Sequence, residues 1–236
     1  MIATGHLTVG TTEVVDVVSG KTCDDLPDFP LNVGGAVGAN LDGTPVVCGG
    51  GGVGISKACF KFTNSEWTEF ATLNEARYWA AGIVYKKKFH IFGGYSGGVG
   101  NTSEIISLNG VVERGPDLPV NIEFHAITAI NATTSILSGG KKKDENIFPI
   151  TWYYNHETQI FTNGPILQEE KQQHGSATGV DKVTQAKIPI VTGGRQGNGF
   201  VAATSTELLI NGKWQSQGTI SLQKRNTLLI CSSAIF

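Results

Sequence analysis

Apolar residues along this chain come in short runs separated by glycine-rich or polar turns, and one such junction returns five times. Ile2-Ala3-Thr4 leads into Gly5-His6, Val46-Val47-Cys48 into Gly49-Gly50, and His90-Ile91-Phe92 into Gly93-Gly94. Ile136-Leu137-Ser138 leads into Gly139-Gly140, and Ile190-Val191-Thr192 into Gly193-Gly194. The first residues of these pairs (5, 49, 93, 139 and 193) are 44, 44, 46 and 54 positions apart. A fixed period in this range marks an array of one supersecondary unit.

Each period reads as four short strands. In the third, residues 79–85 form a strand, Lys86-Lys87-Lys88 turns it, and residues 89–92 return to Gly93-Gly94. A glycine-rich loop leads to a third strand at 103–108, and Asn109-Gly110 turns the chain into a fourth at 111–114. Asn-Gly between strand-like runs predicts a type I′ hairpin turn, which needs positive φ at both central residues. Asn211-Gly212 repeats the signal, and Asn64-Ser65 and Ser19-Gly20 occupy the same place in units two and one. An aromatic follows this turn at Trp67, Phe161 and Trp214, where it can cover the flank of the sheet, and a leucine closes the unit at Leu26, Leu73, Leu118, Leu167 and Leu222. No window sustains a helical period; residues 167–174 are polar and fall where the other units cross over.

A four-stranded antiparallel unit cannot bury both faces alone, and radial stacking hides them, so the pattern predicts an all-β chain folded as a β-propeller. The N-terminus starts with the second strand of a unit, while residues 226–236 read as a first strand with nothing after it. The expectation is one domain, 1–236, of about five blades. Blade 1 comprises 1–28 plus 226–236, blade 2 33–73, blade 3 78–118, blade 4 123–167 and blade 5 174–222. In this reading the C-terminal strand completes the N-terminal blade; the alternative is a piece cut from a larger propeller.

The constellation resembles the kelch-repeat family. The resemblance covers nearly the whole chain and rests on the double glycine after an apolar strand, the acidic start of the third strand (Glu13, Glu104, Glu207) and the delayed tryptophan (Trp67, Trp214). It departs from the pattern where Gly5-His6 loses a glycine and where units one and three lack the tryptophan. The resemblance implies a propeller that recognises a protein or peptide through loops on one rim; the family also includes actin binders and a copper-oxidase relative.

Bulk properties narrow the partners. Charged residues make up 16% of the 236, glycines number 31 and the formal net charge is −2. This is a turn-rich β composition with no general attraction to nucleic acid. No apolar stretch reaches the ~20 residues of a membrane span, and no signal-peptide pattern follows Met1. Four cysteines are too few for a disulfide framework and lack zinc spacing. Cys48 and Cys59 flank one loop on neighbouring strands, so they form either a disulfide, implying an extracellular compartment, or two reduced core residues in a cytoplasmic one. Cys23 competes for either partner, and Cys231 reads as core.

Motifs of enzyme chemistry lose to their context. Gly49 to Gly54 satisfies GxGxxG, but a strand-like segment follows where a dinucleotide site needs a helix. Gly94-Tyr95-Ser96-Gly97-Gly98 fits GxSxG, again without the helix of a nucleophile elbow. His125 and His174 sit at one place in successive units, before the first strand, and two converging imidazoles there would suit copper or zinc. Hydrogen bonds from the imidazoles to a neighbouring unit's backbone are the favoured reading, with no metal and no cofactor expected. The sequence therefore predicts a non-catalytic module, with a copper-oxidase-like metal enzyme as the rival. Large and charged loop residues are the candidate rim anchors: Arg77, Tyr78, Trp79, Tyr95, His125, Lys141, Lys142, Lys143, His174, Arg195, Gln196 and Arg225. That cationic-aromatic rim would suit an acidic peptide or a glycan. Gly49, Gly50, Gly93, Gly94, Gly139, Gly140, Gly193 and Gly194 are assigned to the framework.

Overall fold

The computed structural model describes residues 2–6, 9–15, 22–23, 27–97, 100–142, 148–181, 183–197 and 201–219, with side chains from 27 to 217 within those ranges. The proposed closing strand at 226–236, Leu26, Leu222, Lys143, Arg225, Cys231 and the side chains of Glu13 and Cys23 lie outside the described residues.

The described residues contain strands and no helix. A three-stranded sheet comes first, β1 (Ile2–His6), β2 (Val9–Val15) and β3 (Thr22–Cys23). Four antiparallel meanders of four strands follow. The first contains β4 (Val37–Leu41), β5 (Thr44–Cys48), β6 (Ala58–Thr63) and β7 (Glu66–Thr72). The second contains β8 (Ala81–Tyr85), β9 (Lys88–Phe92), β10 (Ser103–Ser107) and β11 (Val112–Arg114). The third contains β12 (Ala126–Ala129), β13 (Thr134–Ser138), β14 (Thr151–Asn155) and β15 (Ile160–Asn163). In the last unit β16 (Gly175–Val180) and β17 (Lys187–Thr192) are followed by a small hairpin, β18 (Arg195–Gln196) and β19 (Val201–Ala202). The sheet resumes with β20 (Ser205–Ile210) and β21 (Lys213–Thr219). Several four-stranded antiparallel sheets in an all-β chain are consistent with a β-propeller-like fold.

The period-two pattern explains how the sheets stack. Val46 and Cys59 face a core shared with Phe89, Ile91 and Ile106 of the next sheet, whereas Val47 and Phe60 face Phe29, Val33 and Trp67 on the other side. Phe92 and Ile83 meet Leu137, Trp152 and Tyr154. Ile136 and Leu167 meet Val191 and Trp214. Trp214 therefore lies buried in the layer between two sheets, and Trp67 is buried on the flank of its own sheet under Phe29 and Val33. First strands adjoin along the array: Ser176 Oγ donates to Ile127 O (3.1 Å) and Thr178 Oγ1 to Ala129 O (2.8 Å).

The double glycines at 49–50, 93–94 and 139–140 each join two units. The first glycine extends the pairing within its own sheet: Gly93 N–H donates to Thr102 O (2.9 Å). The second reaches the next unit: Gly50 N–H donates to Arg77 O (2.8 Å), Gly94 N–H to Ile122 O (2.8 Å) and Gly140 N–H to Lys171 O (2.7 Å). Both glycines carry positive φ, and a Cβ on Gly93 would stand 2.7 Å from Ile122 O and 2.9 Å from His125 Cε1. Glycine is required there by conformation and by space.

The hairpin turns lie at the opposite end of each sheet. Asn211-Gly212 and Asn64-Ser65 have positive φ at both positions, as a type I′ turn demands. At Asn109-Gly110 only Gly110 does, and Ser107 N–H donates to Val111 O across a wider loop. Lys86 and Lys87 also adopt positive φ, and their ammonium groups reach Glu157 (3.0 Å) and Asp42 (3.1 Å) on the flanking sheets.

Candidate functional site

The end of the sheets that carries the double glycines also carries the long loops and the passages between units. There each of the four four-stranded units presents one facing pair, held by two reciprocal backbone hydrogen bonds. The pairs are Gly34/Gly51, Tyr78/Tyr95, Glu123/Lys141 and Gln172/Arg195. The rim is thus bare in one unit, aromatic in the next, then acid and base, then amide and guanidinium.

The residue after each of these positions links the units to one another. Trp79 N–H donates to Gly35 O (2.8 Å), Phe124 N–H to Trp79 O (3.0 Å) and Gln173 N–H to Phe124 O (2.9 Å). All four have positive φ: 66° at Gly35, 58° at Trp79, 59° at Phe124 and 55° at Gln173. Glycine takes this conformation freely, whereas a bulky L residue in it is strained by about 1 kcal/mol or more. Two aromatics are kept where the fold would accept glycine.

Their rings converge. The Trp79 indole lies over Gly35, whose added Cβ would be 2.7 Å from Nε1. Trp79 stacks on Phe124 with centroids 4.0 Å apart and contacts Tyr78 at 3.9 Å, and Tyr78 meets Tyr95 edge-on at 5.3 Å. All four side chains are half-buried. The glycine run of the preceding unit makes room for them, since a Cβ on Gly51 would press on the Tyr78 ring at 3.2 Å. That is the structural use of the GxGxxG match. Glu123 is half-buried beside the cluster, and its Oε2 is closed off from water with no hydrogen-bond partner. Burial raises the Glu123 pKa despite nearby Lys141, and burial followed by the Glu123 charge raises that of Tyr78.

The sequence-predicted anchors divide. Tyr78, Trp79 and Tyr95 come together at the rim, with Lys141 in the neighbouring pair. Lys142 lies over the Phe148 ring at 4.6 Å, Arg195 is in β18, and Gln196 Nε2 donates to Glu169 Oε2 (2.7 Å). Arg77 is a correction: it is 1% exposed and serves the core. Its guanidinium donates to Glu104 Oε1 (2.8 Å), Gly93 O (2.6 Å), Thr102 O (3.1 Å) and Thr102 Oγ1 (3.1 Å). Glu104 also accepts from Asn74 N (2.7 Å), Asn74 Nδ2 (2.9 Å) and Glu75 N (3.2 Å), clamping the passage between units. Lys171 repeats this role with Ser205, Glu169 and Glu207, so the close Lys171–Ser205 contact is part of the same clamp.

His125 and His174 are likewise buried and form no part of the exposed rim. Each imidazole packs on the first glycine of the preceding unit, and His174 Nε2 shares a hydrogen bond with Ser138 Oγ (2.9 Å), a side chain where backbone was expected. Burial lowers both pKa values to about 3, so the rings are neutral. Among the described residues no three histidine, cysteine or carboxylate side chains are grouped as for a metal ion. Cys48 and Cys59 form a disulfide between directly paired positions of β5 and β6. Sequence reasoning missed Phe124 and Glu123 as rim residues. The available signal was the unit register, which aligns Phe124 with Trp79 and Gly35.

No family model matches the chain, and no curated protein matches it. The solved structure of YjhT is similar over 92% of this chain and 80% of that chain, with a TM-score of 0.77 at 14% identity. At that identity the likeness is one of fold alone.

Proposed function

We propose that the chain is a kelch-type β-propeller of five blades whose double-glycine rim binds a protein or peptide partner without catalysing a reaction on it. One observation carries this reading: four half-buried aromatic rings converge at the rim, two of them on backbone that glycine would occupy without strain. Strain retained at a cluster of large amphipathic side chains suits a recognition surface, where such residues supply most of the binding energy. The rival metal enzyme needs a third ligand beside His125 and His174, and no such group of three lies among the described residues. The disulfide suits an oxidising compartment.

Panning a random peptide library on the full chain tests the binding role. Trp79→Gly is the informative variant, because it installs the residue that unit two carries at the same φ and removes the ring alone. Peptides retained by the native chain and lost by Trp79→Gly are expected. A library that yields no Trp79-dependent binder would overturn the proposal.

A further inference from the structure

The placement of Glu123 specifies the partner's chemistry, on the premise that the rim is a binding surface. We propose that the cluster of Tyr78, Trp79 and Phe124, with the Glu123 carboxylate beside it, receives a cationic side chain, arginine or lysine, of a peptide or protein partner.

The electrostatics of the rim lead to this occupant. Aromatic faces carry the negative part of the ring quadrupole, so a cation is attracted to them, the more strongly when water is displaced. Glu123 places a carboxyl group in the same region, and in its ionised form it is close enough to Tyr78 to raise the phenol's pKa. One of its oxygens is shielded and unpartnered, the condition under which a carboxylate gains most from an incoming donor. Lys141 stands opposite Glu123 in the rim ladder, yet no ion pair joins the two side chains among the described residues. Two of the cationic candidates that would have favoured an acidic ligand are otherwise placed: Arg77 is in the core clamp, and Lys142 lies over Phe148. An acidic side chain would meet the Glu123 charge here, whereas a guanidinium can stack on the rings and donate to the carboxylate together. A neutral sugar could also stack on these rings and donate to Glu123, but it would leave the charge uncompensated.

The test titrates the full chain with N-acetyl-arginine amide and with its neutral isostere N-acetyl-citrulline amide, following tryptophan fluorescence. The expected result is a saturable response to arginine at least about tenfold tighter than to citrulline, a ratio that Glu123→Gln abolishes. Equal affinities for the two probes would overturn the proposal, as would an arginine preference unchanged in Glu123→Gln. If Glu123→Gln fails to fold, added salt provides the second readout on the native chain: it should weaken arginine and leave citrulline unchanged, and equal salt sensitivity would overturn the assignment. The panned peptides separate this claim from the binding role. Trp79-dependent peptides lacking arginine and lysine, or a neutral oligosaccharide bound in their place, would sink the cation site, and the peptides would leave peptide binding standing.

Discussion

Replacing Arg77 by isoleucine should destabilise this protein more than any surface substitution, because it leaves the Glu104 carboxylate buried at 2% exposure without its counter-ion. Removing one partner of a buried pair costs about 3–5 kcal/mol. The guanidinium also supplies hydrogen bonds to Gly93 O and both Thr102 oxygens, so the upper half of that range applies. For a chain of this length, 4 kcal/mol corresponds to a fall in Tm of roughly 8–16 °C. Urea unfolding followed by tryptophan fluorescence, with a thermal melt, reads the change. The repeat also supplies the compensating set. Unit three has Asn74, Arg77 and Glu104, where unit four has Pro119, Ile122 and Trp152. Proline has no N–H to place on a carboxylate, and Ile122 packs in one cluster with Trp152 where Arg77 pairs with Glu104. Transplanting the whole set (Asn74→Pro, Arg77→Ile, Glu104→Trp) should recover more than half of the loss, since packed apolar residues replace buried ion pairs at little or no cost. A loss below about 1 kcal/mol for Arg77→Ile would refute the clamp. A triple variant no more stable than the single one would refute the equivalence of the units. Lys86→Ala, which breaks an exposed pair at the far turns, should leave the midpoint unchanged.

Two further outcomes follow from the buried groups. Replacing Cys48 and Cys59 together by alanine reopens a loop with a sequence separation of 11, for which chain entropy gives a loss of about 3 kcal/mol; an unchanged urea midpoint would contradict the bridge. Burial depresses the folded pKa values of His90, His125 and His174 to about 3 and of His156 to about 4, while the unfolded rings titrate near 6.5. The stability from these neutral rings is complete above pH 6.5 and declines as pH falls toward 4, by about 1.4 kcal/mol per pH unit for each fully protonating ring. A urea midpoint that is equal at pH 7 and pH 5 would contradict it.

The sequence's legibility ends where contacts between units begin. Double glycines, Asn211-Gly212 and the flank tryptophans were readable because local backbone and period-two patterning determine them. Asn109-Gly110 carried the same signal and formed a different turn, with Asn109 outside the positive-φ region. Arg77 read as a loop cation because its acid lies on the third strand, and only the fold brings Glu104 beneath the passage between units. Phe124 and Glu123 escaped notice for a related reason: their importance comes from the chain of hydrogen bonds that lays each unit's rim residue over that of the unit before. The lysine turn at 86–87 was readable as a turn, but its positive φ was not, since lysine has no intrinsic preference for it.

Hydrogen–deuterium exchange of the full chain, with and without a panned peptide, tests the rim's role most directly. Binding at the rim should bring new protection at residues 78–80, 95–97 and 122–125, with no change at the far turns 42–43, 86–87 and 156–159. Protection confined to those far turns, or an unchanged rim, would contradict it.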